Sequence, residues 1–328
     1  MSKPDQGRPS TPPDDPLAVP DTLFNRLDGW TWLGCYGGYY LQADPLHLAG
    51  FEHGFFTRRW QGRQPDELAC YLSAGTSIHR PQQVHGSEIL EASQADGPPW
   101  PEADGLVSNR GGQSLWVCGA DCTPVLIADP GTGHAAACHA GWRGLAAGIL
   151  PKAVEKLEAL GADRNKLLIA LGPAVSGSNY QVGIEVAEAV ARSLHVDDSK
   201  AEISSAELHD RLCALQSAGA LSKSPTPQTS TQPGSSQPGS SQPGSSQPGS
   251  TQPGSSQPSS SQPKLQLDIR LAAKEQMLRL GIDQTQISCC PLCTVAEPTL
   301  FHSWRRDQVK AVQWSGIVAQ ADEEPATS

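Results

Sequence analysis

Three short segments carry side chains suited to metal or nucleophilic chemistry: Gln83–Glu88 (QVHGSE), Ala120–Val125 (ADCTPV) and His139–Gly144 (HAGWRG). Cys122 and His139 flank a stretch that reads as two strands around the turn Asp129-Pro-Gly-Thr-Gly133. A hairpin tip at Gly131 sets Thr123 opposite His139, with Cys122 one step along, and cross-strand neighbours sit about 5 Å apart. A thiolate and an imidazole at that separation either form a nucleophilic Cys–His pair or bind a metal together. His85, from another loop, would be a third ligand. Three protein ligands with a fourth position open are the pattern of a catalytic rather than a structural zinc site. Such an ion acidifies a bound water or polarises a substrate oxygen. His134 has the same side chain but lies near the turn. Asp121, beside Cys122, reads either as a group that orients a ligand and moves a proton or as a buried cap.

Arg58 and Arg143 are the candidates for holding a phosphate. Arg58 follows the apolar run Phe55-Phe56-Thr57, and Arg143 follows a Gly-Trp turn. A guanidinium held beside such a turn suits bidentate phosphate binding. Arg59, Arg305 and Arg306 are of the same type. Cys290-Pro-Leu-Cys293 has CxxC spacing, but no second CxxC completes a four-cysteine site, so packing is its expected role.

The elements that would carry these groups alternate between strand and helix. Residues 22–60, with Trp30, Trp32, Tyr36, Tyr39 and Tyr40, read as short strands. Ser114–Ala128 reads as two strands joined at Asp121–Thr123, His134–His139 as a third and Leu167–Leu171 as a buried fourth. Gly144–Leu160 has helical spacing, with Pro151 shifting its start or kinking it. Ile184–His195 and Ile269–Gly281 are helical too, the latter ending at a glycine. The expected fold is α/β, a single domain of mixed β-sheets sandwiched by helices. That domain spans 21–318, after a Pro- and Asp-rich tail at 1–20 and before a flexible tail at 319–328. A low-complexity QPGSS insertion at 222–263 interrupts it. Such a segment cannot offset its own ordering entropy, and a long surface insertion costs little because closure entropy grows only with the logarithm of length.

Composition narrows the classes of partner. The 328 residues carry a net charge of −10 and no stripe of Lys and Arg, so a nucleic-acid-coating role is not expected. No run reaches the roughly 18 apolar residues of a membrane span. Nine cysteines, an odd number, and a polar beginning without an apolar leader point to a reduced cytoplasmic protein. Oligomeric state is not legible.

A set of motifs adds to this. QVHG, ADG (Ala103–Gly105), ADCTPV, HAGWRG, Gly172–Val175, YQVG (Tyr180–Gly183), Leu267–Arg270, Cys293-Thr294 and SWRRD (Ser303–Asp307) stand in an order that resembles the YfiH-like laccase-domain family. The similarity covers roughly Gly54–Val318, interrupted by the QPGSS stretch. Two segments depart from the family pattern: the SLNLG-like region before QVHG is compressed, and QVKAVQWSG replaces the TGR continuation after the RRD motif. The family, first described as polyphenol oxidases, comprises purine nucleoside enzymes. The resemblance implies phosphorolysis of adenosine, inosine, guanosine and methylthioadenosine, deamination of adenosine, and zinc on His85, Cys122 and His139. Purine nucleosides and phosphate are then the small-molecule partners, with Arg58 or Arg143 on the phosphate. A copper-dependent polyphenol oxidase is the alternative, against which stands the lack of any HxH pair. A metal-free cysteine hydrolase using Cys122 and His139, and a binding module that uses the repeat as a tether, are the others.

Overall fold

The central strands of this chain are buried on both faces, and each face meets a different layer. In Thr123–Ala128, Leu126 and Ala128 enter one core while Val125 and Ile127 enter another, as the two-residue alternation of a strand dictates. The computed structural model describes residues 27–35, 38–194, 203–224 and 264–320. The expected tail at 1–20, Tyr36, His195, insertion residues 225–263 and tail residues 321–328 lie outside the described residues.

Two mixed six-stranded sheets form the centre of a single α/β domain. The first runs, edge to edge, Trp30–Cys35, Gly38–Ala43, His53–Phe56, Gln313–Val318, Gln113–Gly119 and Ser77–His79. The second runs Ile287–Cys289, Leu168–Leu171, Thr123–Ala128, Ala135–Ala140, Gly105–Val107 and Ile89–Glu91. Leu41, Phe55, Leu115, Val117 and Ile317 from the first sheet pack on Leu106, Leu126, Ala137 and Ala170 from the second. The outer face of the second sheet is covered by the helices Ile149–Ala159 and Ile269–Arg279, while Ile184–Arg192 packs beside the strand Leu265–Leu267 in the same core. The outer face of the first packs Tyr40, Phe56, Trp116 and Trp314 on Trp60, Leu68 and Leu72. Burial on both faces explains why the central strands read as nearly continuous apolar runs.

Several expectations need adjusting. The region 22–60 holds three strands, as expected, but also the helix Asp44–Leu48, which begins with Pro45 in its first turn. The helical stretch 144–160 is split into Trp142–Ala146 and Ile149–Ala159, with Gly148 at φ +74° between them. Pro151 sits in the first turn of the second piece, where its missing N–H breaks no helical bond. Ser222 and Lys223 belong to a strand, Leu221–Lys223, that pairs with Leu265–Leu267. The two flanks of the QPGSS segment therefore meet in one ladder. No helix among the described residues is long and apolar enough to cross a membrane.

The hairpin register also differs by one residue. Pro124, not Thr123, opposes His139, and Thr123 opposes Ala140. Six residues, Asp129–His134, separate the paired Ala128 and Ala135, so the hairpin axis falls between Gly131 and Thr132 rather than on Gly131. The Asp129 carboxylate fixes that loop by accepting the N–H groups of Gly131 and Thr132.

Candidate metal centre

Cys122 is placed by a crossing between the two sheets. Gln113–Gly119 belongs to the first and Thr123–Ala128 to the second, and the connection through Asp121 takes a left-handed backbone at φ +97°. That conformation is unfavourable for a non-glycine residue and is held by three bonds. Thr294 Oγ1 donates to Asp121 Oδ1 at 2.7 Å, Arg305 N–H to Oδ2 at 2.7 Å, and Val175 N–H to its carbonyl at 2.9 Å. Asp121 is thus the buried cap of the two readings above. Gly141 faces the sulfur from the other side, and a Cβ there would stand 2.9 Å from Cys122 Sγ.

His139 comes from the strand Ala135–Ala140 and is buried. Its Nδ1–H donates to Asp104 Oδ1 at 2.9 Å, which leaves Nε2 for a metal or the thiol. His85 comes from a loop wrapped around the same carboxylate. The N–H groups of Val84, His85 and Gly86 donate to Asp104 at 3.2, 2.9 and 2.6 Å, and His85 takes φ +61°. One buried acid thereby orients both histidines, whose rings meet edge to face at 4.8 Å. The ligand atoms of His85, Cys122 and His139 all lie within 4.8 Å of one another. No other such group of three or more His, Cys, Asp or Glu occurs among the described residues. This donor set fits a zinc-sized ion: metal–sulfur and metal–nitrogen distances of about 2.3 and 2.0 Å need ligand atoms close together at one point. His139 and Cys122 turn inward while His85 is exposed, so the cluster has a side open to solvent for a fourth ligand.

The electrostatics suit a thiolate. Burial pushes the Cys122 thiol up, but hydrogen bonds from His139 and His85 prevail and bring it down to about 6. Burial lowers His139, and Asp104 with Cys122 overcome this, raising it to about 9. Burial also disfavours the Asp104 carboxylate, yet His139 and the N–H groups of Gly86 and Val84 hold it below the usual carboxylate range. In metal-stripped protein, alkylation of Cys122 by iodoacetamide is therefore expected to rise with pH around a midpoint near 6. Zinc should abolish it. Peptide mapping of the adduct separates Cys122 from exposed Cys70, and a midpoint near 8.5, the free-thiol value, would refute the pairing.

The remaining expected groups divide. Arg143, in the first turn of Trp142–Ala146, is exposed and stacks on Trp142 at 4.6 Å. Its charge is felt at Tyr180, as is that of Cys122. Arg305, also exposed, lies 4.4 Å over the Tyr180 ring. Burial and the Cys122 charge raise Tyr180 above its ordinary value, so its phenol stays protonated. Arg58 is elsewhere. It donates to the Pro298 carbonyl at 2.6 Å and lines a separate cleft with Gln61, His302 and Asp307. Cys122 instead lines a narrow cavity with Phe55, Pro124, Pro173 and Phe301. His134 contacts Ser108, and Arg306 is spent on the carbonyls of Thr294, Val295 and Phe301. Cys290 is buried, and Cys293 accepts from Ser176 N–H and Oγ–H, so the CxxC pair serves packing and loop anchoring. Asp104 is the residue that the sequence left unmarked except within ADG. Its signal was general: a metal-binding imidazole needs an acceptor for its other nitrogen.

The chain is similar to known proteins in sequence and in fold. A family model described as multi-copper polyphenol oxidoreductase laccase matches residues 65–219 and 245–320. A Synechocystis sp. protein named purine nucleoside phosphorylase is 35% identical over 298 residues, 89% of this chain and 98% of that protein. One of the same name from Deinococcus radiodurans is 39% identical over 175 residues, 52% of this chain and 62% of its own. Among solved structures, YlmD from Geobacillus stearothermophilus aligns with TM-score 0.61 at 21% identity, covering 88% of this chain and 98% of its own. YfiH from Bacillus licheniformis aligns at 0.62 and 20%, covering 88% and 99%. These two share the fold.

Proposed function

We propose, on the premise that this chain belongs to the multi-copper polyphenol oxidoreductase laccase family, that it is a zinc-dependent purine nucleoside phosphorylase. The observation that carries the reading is the His85–Cys122–His139 cluster, with ligand atoms within 4.8 Å of one another and an exposed side. Its substrates are adenosine, inosine, guanosine and methylthioadenosine with phosphate, and it also deaminates adenosine to inosine. Bound there, zinc supplies a Lewis acid that polarises a substrate oxygen or activates water. One three-ligand cluster among the described residues does not provide for several copper ions, which disfavours the oxidase reading despite the family's label. Net charge −10 and eight unpaired cysteines among the described residues fit a cytoplasmic location.

In phosphorolysis, a phosphate oxygen attacks C1′ of the ribose as the C–N bond to the purine breaks. Arg143, whose charge is felt at Tyr180, and Arg305, which lies over the Tyr180 ring, hold the phosphate and spread its charge. We assign no phosphate contact to Arg58, because Pro298 engages its guanidinium in another cleft. We assign to the protonated Tyr180 phenol a hydrogen bond to the sugar or to the departing base. Asp104 keeps His139 with Nε2 toward the cluster throughout.

Chromatography of inosine and adenosine incubated with metal-analysed protein, with and without phosphate, tests the proposal. Hypoxanthine formed only with phosphate, and inosine formed from adenosine without it, are expected. Zinc-loaded protein that releases base from none of the four nucleosides would reject the phosphorylase reading. Activity indifferent to chelators but lost on thiol alkylation would establish the cysteine hydrolase instead.

A further inference from the structure

A second nucleophile-and-base arrangement lies away from the metal centre, on the edge strand Ser77–His79 of the first sheet. Residues two apart in a strand share a face, and here that spacing sets Ser77 Oγ 2.8 Å from His79 Nε2. On its other side His79 Nδ1 meets Asp96 Oδ1 at 2.9 Å and the Ala95 carbonyl at 3.2 Å. Two acceptors at Nδ1 fix the proton on that nitrogen, so Nε2 is left as the acceptor of the Ser77 hydroxyl proton. Burial, opposed by Asp96, keeps the imidazole neutral by lowering its pKa. The nucleophile is anchored by its backbone: Ser77 N–H donates to Gly112 O, and Ser114 Oγ–H donates to Ser77 O. Ser77 itself is half-buried, and its strand ends the sheet. With Ser77 N–H directed into the sheet, the alternation of the backbone turns Ile78 N–H toward the open edge. The N–H of the residue after a nucleophilic serine is a donor to a developing oxyanion in other hydrolases. The cation Arg110 is close enough to act on His79.

We propose that Ser77, His79 and Asp96 form an acyl-transfer site for small carboxylic esters, independent of the metal centre. Ser77 Oγ gives its proton to His79 Nε2 and bonds to the ester carbonyl carbon. The carbon–oxygen bond to the alcohol then breaks, and the alcohol leaves with the proton from His79. Water attacks the acyl-serine, passing a proton through His79 to Ser77 Oγ, and the carboxylic acid departs. The alternative is a buried histidine merely satisfied by its neighbours, which leaves Ser77 as inert as any serine.

The test is reaction of the folded, full-length protein with a fluorophosphonate probe, followed by peptide mapping, alongside p-nitrophenyl acetate hydrolysis. A single adduct on Ser77 is expected, abolished in Ser77→Ala and slowed by about a hundredfold or more in His79→Gln. Cys122→Ala, which removes a metal ligand, should label like the parent. Mapping the parent protein needs no variant to fold. No adduct on Ser77, or one formed equally fast in urea-unfolded protein, would overturn the proposal while leaving the nucleoside reading untouched.

Discussion

Cys122→Ala should leave the protein folded, without stoichiometric zinc, and slower in nucleoside phosphorolysis by more than about a hundredfold. The bound is set by comparison: altering a group that merely orients a metal ligand costs about 10–100-fold in affinity or activity, and here a ligand itself is removed. Sulfur is also the only anionic donor of the three, so its loss leaves two neutral imidazoles, one of them exposed. Stability supplies a second readout. A metal that binds only the folded state stabilises it by about 2.7 kcal/mol at a hundred times its dissociation constant. The parent should therefore gain melting temperature on adding zinc, and Cys122→Ala should gain little. Elemental analysis, the assay with phosphate and paired thermal melts together decide the matter. If Cys122→Ala is inactive while chelated parent protein keeps full activity, the thiolate is a nucleophile and the zinc reading falls. If the variant binds zinc and turns over normally, the cluster is not the active site.

The sequence exposed the cluster but not the way it is assembled. His85, Cys122 and His139 were legible because few residue types do this chemistry and because each sits in a distinctive motif. The turn Asp129-Pro-Gly-Thr-Gly133 brings Cys122 and His139 into one neighbourhood but fixes the hairpin register only to within a residue, because turn length is not encoded more finely in those residue types. The consequence is physical. Cys122 and His139 do not meet as an opposed pair; they meet because the chain crosses from one sheet to the other at Asp121, in a left-handed turn braced by Thr294 and Arg305. Those partners lie more than 170 residues away in sequence, beyond the reach of local periodicity. Arg58 illustrates the same limit, because nothing in FFTRR foretells that Pro298 engages it. Helix and strand types, by contrast, follow from alternation and spacing, so the elements were found even where Gly148 divides one helix into two.

Asp104→Asn is the substitution that tests how the cluster is held without touching a ligand. It keeps the shape and removes the charge. The parent carboxylate accepts four donors, His139 Nδ1–H and the N–H groups of Val84, His85 and Gly86. An amide has one oxygen, so its NH2 must face either the Val84 and Gly86 N–H groups or His85 N–H and His139. Either orientation leaves buried donors opposed, and breaking a buried charged pair in this way costs about 3–5 kcal/mol. Metal affinity should fall by about 10–100-fold, with the His85 loop loosened and His139 free to adopt the other tautomer. The pH dependence gives a signature that packing damage lacks. The folded pKa of Asp104 is depressed, so its stabilisation is present in full above the unfolded carboxylate value, about 3.9. It is lost as pH falls through the lower folded value. In urea melts of metal-free protein, the stability gap between parent and variant should be widest between about pH 5 and 6, narrow as pH rises above about 6.5 toward the raised value of His139, and close below about 4. A gap that persists in acid would mean that the substituted amide merely packs badly, and that the carboxylate is not what positions His85 and His139.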